Sequence, residues 1–305
     1  MLRYLCLRLL SVFPLALGVV TGVFFLIHLI PGDPIDLMLG ESAAMSDRAA
    51  LRETLHLDEP IVKQYAHFIL SLSHGDLGQS FSMKKPVFQV ILDRYPATIV
   101  LAVSALLLAV LFAVPLGIFS ALRRGRFSDR SVLLFSLFGV SIPNFWLGPL
   151  LIIFFSLKLG LLPVSGREAN LSFVLPALTL GVGMSAILLR ITRASVLEII
   201  GKEYILTARA KGLPERIVVL RHIFRNALIP IITVLGLQFG ALLTGAIITE
   251  TIFSWPGLGR LTISAIYSRD YPLIQGAVLA IAFTYLLVSL LVDILYAVAD
   301  PRVRY

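Results

Sequence analysis

In a chain this apolar, any chemistry has to come from its few polar side chains. Within or at the ends of the long apolar runs stand His28, Asn144, Gln238, Glu250 and Asp293. A polar group there is costly unless partnered, so it marks either a pathway or a helix–helix hydrogen bond. Asn144, Gln238 and Glu250 are the candidates for lining a solute pathway; helix pairing and end-capping are the alternatives at all five positions. No nucleophile pairs with a base as hydrolysis would require. His56, His67 and His74, at intervals of 11 and 7, match no simple metal-ligand motif. The lone cysteine, Cys6, excludes an internal disulfide and a thiolate metal cage. Buried acids at a midplane site, which an ion-driven carrier would want, are missing too. None of these residues makes a recognisable reaction or ion-coupling site, which points to another subunit as the source of energy for any transport.

The polar stretch from Lys202 to Pro230 is of another kind. It is the most basic part of the chain, with Lys202, Arg209, Lys211, Arg216, Arg221 and Arg225 against Glu203 and Glu215. Gly212-Leu213-Pro214 supplies the stop and restart of two short helices. The spacing predicts a first helix from about Val196 to Lys211, with Ile200, Tyr204 and Ala208 on one face. Small side chains at Thr207, Ala208, Ala210 and Gly212 would let another backbone approach, flanked by Arg209 and Lys211. The second helix opens at Pro214-Glu215, and its apolar positions Ile217, Leu220, Phe224 and Leu228 lead into the next apolar run. Such a stretch either docks against another protein or lies on anionic lipid headgroups.

The elements that would position these residues are membrane spans. The chain has 305 residues, 58% hydrophobic and 14% charged, with a mean hydropathy of +0.92. Soluble domains carry nearer a quarter charged residues. Apolar runs at about 9–30, 97–121, 131–158, 173–193, 228–250 and 276–298 are each long enough for a ~30 Å hydrocarbon core, which predicts six spans. The first ends in His-Leu-Ile-Pro-Gly-Asp-Pro rather than a small-residue cleavage site, so it reads as an uncleaved span. The third is overlong and contains Pro143 and Pro149, which predicts a tilted or kinked helix. Residues 31–96 form the one sizeable polar segment, too small to stand as a domain and expected to pack on the membrane part. In it, Asp47 to Leu57 reads as a short amphipathic helix, and Gly75-Asp76-Leu77-Gly78 as turn chemistry.

The net charge of +8 bears on topology rather than on nucleic acid. Placing the N-terminus in the cytoplasm puts 16 of the 26 Lys and Arg residues on that side: in 1–8, 122–130, about 190–227 and 299–305. The opposite loops near 159–172 and 251–275 hold Arg167, Arg260 and Arg269. The prediction is an all-α polytopic membrane protein with both termini inside, 31–96 outside and 194–227 as a cytoplasmic loop.

Tyr204-Ile-Leu-Thr207-Ala208-Arg209-Ala210-Lys211-Gly212, followed by Arg225-Asn226-Ala227 and Pro230, resembles the cytoplasmic coupling ("EAA") loop of bacterial ABC importer permeases. The form is that of the dipeptide, oligopeptide and nickel class. Aligned on Gly212, the motif's Glu-Ala-Ala falls on Leu206-Thr207-Ala208, so only the second alanine is kept. Further motifs resemble the same class in order along the chain. They are Pro31-Gly32-Asp33-Pro34, Gly75 to Ser80, Pro96-Ala97-Thr98, Ser141 to Trp146, Glu250 to Arg260, Arg269-Asp270-Tyr271-Pro272 and Asp300-Pro301-Arg302. Their order and the short C-terminus resemble the first, B-type, of the two permeases in such systems.

The resemblance implies a type I importer architecture and a multi-pass protein of the bacterial inner membrane. It further implies a second homologous permease, two cytoplasmic ATPase subunits that use ATP and Mg, and an external solute-binding protein. Tyr204, Thr207, Ala208, Arg209, Ala210, Lys211 and Gly212 would dock on an ATPase. The expected cargo is a peptide or similar small solute; nickel, a metal chelate or glutathione are alternatives within the class. An ATP-independent carrier or channel is the remaining alternative outside it.

Overall fold

The computed structural model describes residues 2–28, 35, 45, 52 and 58–299. The Pro31–Pro34 motif, the expected helix over 47–57, His56 and the Asp300–Arg302 motif lie outside the described residues. Among those residues the chain is helical, without a named strand. The ten helices labelled in this paragraph are α1 Leu2–His28, α2 Ile61–Ser73, α3 Val87–Leu122, α4 Phe127–Ser141, α5 Asn144–Leu151, α6 Val174–Ile200, α7 Glu203–Ala210, α8 Arg225–Ile252, α9 Leu258–Tyr267 and α10 Tyr271–Ala299. Two π-helical stretches, Ile152–Lys158 after α5 and Val218–Phe224 before α8, and the three-residue helix Glu215–Ile217 complete the order.

The axis of the fold is the pair α3 and α6. Along α3, Ala97, Leu101, Ala105, Ala109, Ala113, Gly117 and Ala121 recur every fourth residue, and all seven are buried. Small side chains let helices close on each other where lipid offers no hydrophobic drive. At Gly117 a Cβ would stand 2.8 Å from Thr192 Cβ and 2.9 Å from the Leu189 carbonyl oxygen of α6. At Gly181 of α6 it would stand 3.2 Å from the Ala105 carbonyl oxygen. Helix α8 packs on α6 and α10, and α1 on α10.

Among the described residues, four helical segments are long and apolar enough to cross a membrane: Val87–Leu122, Val174–Ile200, Glu215–Gly240 and Tyr271–Leu295. The third predicted span is not one kinked helix. It breaks at Ile142-Pro143 into α4 and α5 with a bend of 102°, and the pair counts as a fifth crossing only if taken together. Proline at 143 lacks an N–H and biases Ile142 to extended backbone (ψ 117°), which ends α4. The first predicted span runs past the described residues; its described apolar part is Leu10–Phe25. The second span's helix begins earlier than the apolar run, because α3 already starts at Val87.

The polar segment does pack on the membrane part where it is described. Helix α2 lies on α1, with Tyr65 and Phe68 against Phe24 and a hydrogen bond between the Tyr65 and Thr21 hydroxyls. Gly75 and Gly78 both take φ of +76°, and Asp76 accepts a hydrogen bond from the Gly78 N–H, as that turn's residues predict.

Candidate functional site

The basic stretch folds differently from its predicted continuous helix. Helix α6 ends at Ile200, Gly201-Lys202 make a turn, and α7 starts afresh at Glu203. Ile200, Tyr204 and Ala208 therefore do not form one face. The face of α7 turned inward carries Ile205 and Ala208, at 0% and 6% exposure. They sit in a core with Ala113 and Ala121 of α3, Val196 and Ile199 of α6, and Val218 and Ile223. Tyr204, Leu206, Thr207, Ala210, Lys211 and Gly212 remain exposed. The helix stops at Gly212, whose φ of +74° favours glycine, and Arg209 reaches across that break to Glu215 with hydrogen bonds of 2.6 and 3.1 Å.

Of the candidate coupling residues, then, five are presented outward, Ala208 anchors the helix, and Arg209 braces the turn after it. In the next stretch the apolar positions at helical spacing are not the ones that bury deepest. Val218, Ile223, Ala227 and Ile231 are buried, whereas Ile217 and Leu220 are 41% and 52% exposed. The π winding over 218–224 is the reason, since residues five apart come into line there instead of four.

Three polar clusters brace the molecule, and none could be seen in sequence spacing. On the side of α7, Asp129 at the start of α4 receives a bidentate pair of hydrogen bonds from Arg193 of α6, both 2.8 Å. Ser120 and the Gly125 N–H also donate to it. Glu250, 0% exposed, accepts from Thr98 (2.8 Å) and from the Arg260 N–H (3.0 Å). Thr98 in turn accepts from the Leu258 N–H, and the Trp255 indole donates to the Ala97 carbonyl. A Cβ on Gly257 would collide with the Glu250 carboxylate, which explains a glycine there. The third cluster is Asp270, which accepts from Ser80 (2.6 Å), the Ser82 hydroxyl (2.7 Å) and the Ser82 N–H (2.9 Å). Burial alone would push the Asp270 carboxyl up, but these donors outweigh it and hold the group below its ordinary value.

The motifs at Gly75–Ser80 and Arg269–Pro272 thus meet in space, as do those at Pro96–Thr98 and Glu250–Arg260. The other pathway candidates lie apart from these clusters. Asn144 opens α5 just after the 102° bend, with its side-chain oxygen 3.8 Å from where a Cβ on Gly183 would be. Gln238 is 8% exposed, and neither atom of its amide has a hydrogen-bond partner among the described residues. His67 lies 3.4 Å from Glu59 and His74 contacts the Leu70 carbonyl; no cluster of three metal-ligating side chains occurs among the described residues.

Residues 113–305 match the family described as binding-protein-dependent transport system inner membrane component, and residues 1–102 match the N-terminal part of such components. The chain belongs to this family: it is the membrane permease subunit of an ABC importer. It is a multi-pass inner-membrane protein with no catalytic role, and it works with ATPase and solute-binding partners. The chain is 45% identical to the glutathione transport system permease protein GsiC of Pectobacterium atrosepticum, over 100% of both chains. It is 42% identical to the dipeptide transport system permease protein DppB of Escherichia coli strain K12, over 100% of this chain and 99% of that one. Among solved structures, an inward-facing MetNI methionine ABC transporter matches with a TM-score of 0.60 and 16% identity, covering 70% of this chain and 97% of that one. That likeness concerns the fold alone.

Proposed function

We propose that this chain forms half of the translocation pathway for dipeptides, oligopeptides or similar small solutes such as glutathione. A second, homologous permease supplies the other half, and two cytoplasmic ATPase subunits use ATP and Mg. The observation that carries the reading is the seating of α7. Ile205 and Ala208 root it in the same core as α3 and α6, so a push on its exposed face moves those helices. Tyr204, Thr207, Ala210, Lys211 and Gly212 form the docking face, and Arg209 with Glu215 keeps its end in shape. The names of the relatives support the peptide and glutathione class of cargo.

In this reading α1 and the bent α4–α5 pair complete six spans, and both termini face the cytoplasm with α7. Asn144 and Gln238 line the pathway. Glu250 serves it indirectly, by holding the α8–α9 corner closed through Thr98 and Arg260. The test is purification of the tagged chain from its native membrane, with identification of the copurifying subunits and assay of uptake in proteoliposomes. Gly212→Trp has room within this chain, since nothing lies within 4 Å of a Cβ there, yet it obstructs docking. Gly212→Asn, which tolerates positive φ, separates backbone strain from obstruction. The expected result is ATP-dependent uptake that Gly212→Trp abolishes and Gly212→Asn largely keeps. ATP-independent flux through this chain alone would overturn the proposal.

A further inference from the structure

We infer that the cleft between the start of α3, the turn over 79–86 and α9 is a carboxylate-binding subsite, and that Arg94 and Arg260 are its ligands. The cleft measures about 170 Å3 and is lined by Met83, Arg94, Pro256, Arg260, Leu261 and Ser264 among others. Its walls are fixed by the two polar clusters on this end of the molecule. Asp270 latches Ser80 and Ser82, which sets the turn that carries Met83. Glu250 and Thr98 pin the backbone of Leu258 and Arg260, which sets the first turn of α9 against α3.

Two arginines line this space, Arg94 half-buried and Arg260 exposed. Arginine stays charged at any physiological pH. Arg94 is half-buried, and no carboxylate among the described residues pairs with it or with Arg260. Arg260 is held in place because its Nη1 donates to the Ser254 carbonyl at 2.7 Å, leaving its other N–H groups free of described partners. Two like charges sharing a small cleft repel each other, and an anion between them removes that cost. The planar fork of a guanidinium matches a carboxylate in bidentate geometry. Pockets that enclose a whole small molecule run to roughly 300–1,000 Å3, so this cleft takes a terminal group and leaves the rest of the ligand outside it. Met83, Pro256 and Leu261 give the walls apolar surface for the carbon next to the carboxylate.

The source of that carboxylate, resting on the proposed function, is the C-terminal end of a peptide-like solute entering from the outer side. The probes are Ala-Ala and its C-terminal amide. In the assembled transporter, Arg94→Gln is expected to raise KM for Ala-Ala about tenfold with kcat little changed, a loss of roughly 1.4 kcal/mol in binding. The ratio of variant to wild type for the amide is expected to stay near one, and Arg94→Lys to fall between. In wild-type complex without the binding protein, Ala-Ala but not the amide should slow phenylglyoxal modification of Arg94 and Arg260, read by mass spectrometry.

An equal effect of Arg94→Gln on acid and amide, or no protection by Ala-Ala, overturns the subsite. Protection that appears only on adding ligand-free binding protein overturns it too, since the carboxylate then belongs to that protein. Protection of Arg94 by Ala-Ala without any import of peptide keeps the cleft and sinks the peptide reading. Import that ignores both arginines does the reverse.

Discussion

Single residues decide how the α9–α10 end of the molecule is held, and Asp270 is the most instructive. It makes three hydrogen bonds to a turn about 190 residues away in sequence, and it also starts α10 through the Leu273 N–H. Its carboxyl is held below the ordinary value, so the folded state favours the ionised form. The stabilisation from that preference is fully present above the unfolded value of about 3.9 and is lost as pH falls through the lower folded value. Asp270→Asn should therefore lower the unfolding midpoint in detergent at pH 7. The gap between the two proteins should close as the pH is taken below about 4. A gap that persists at low pH would mean that shape, and not charge, carries the contact.

At this scale the sequence could nominate residues but could not pair them. Glu250 was visible as an acid at a span end, and Thr98 as part of a short motif; that one accepts from the other across 152 positions is a matter of tertiary contact. Asp129 and Arg193 carried no signal beyond a basic residue in a basic region. Ala208 was read as presented surface and is instead an anchor, because α6 and α7 are separate helices with different faces.

The elements are set by small residues and by prolines. The four-residue repeat along α3 is legible once α6 is seen beside it, since that helix closes on α3 at Ala105 and Gly117. Gly117→Ala should cost about 1–3 kcal/mol, because the new methyl meets the Leu189 carbonyl oxygen, backbone that cannot rotate away. Gly18→Ala in α1, with nothing within 4 Å of its Cβ, should be neutral or stabilise by up to about 1 kcal/mol through its effect on the unfolded chain. Thermal midpoints of the purified variants compare the two directly. Equal midpoints would mean that the α3–α6 contact leaves room for a methyl group at Gly117. The same scale explains the burial pattern after Pro214. A 3.6-residue period was applied to a stretch that winds as a π-helix, and sequence pattern carries no mark of that winding.

For the whole molecule, the proposed topology places the basic loops and α7 in the cytoplasm. In a Cys6→Ser background, single cysteines replacing Arg124 or Lys211 should resist an impermeant maleimide added to right-side-out vesicles, and one replacing Asn170 should react. All three positions are exposed, so burial does not confuse the result. Labelling of Lys211→Cys from outside would invert the topology and remove α7 from reach of an ATPase.

By itself the sequence determined that this is a helical membrane protein and that 202–230 is its most basic stretch, broken at Gly212-Leu213-Pro214. Those follow from composition, hydropathy period and local turn chemistry, which neighbouring residues decide among themselves. Only the tertiary structure decided which side of α7 is root and which is surface, where the third apolar run breaks, and which distant motifs close on each other around Glu250 and Asp270. Such pairings depend on how helices far apart in sequence cross, and nothing in local spacing encodes the crossing.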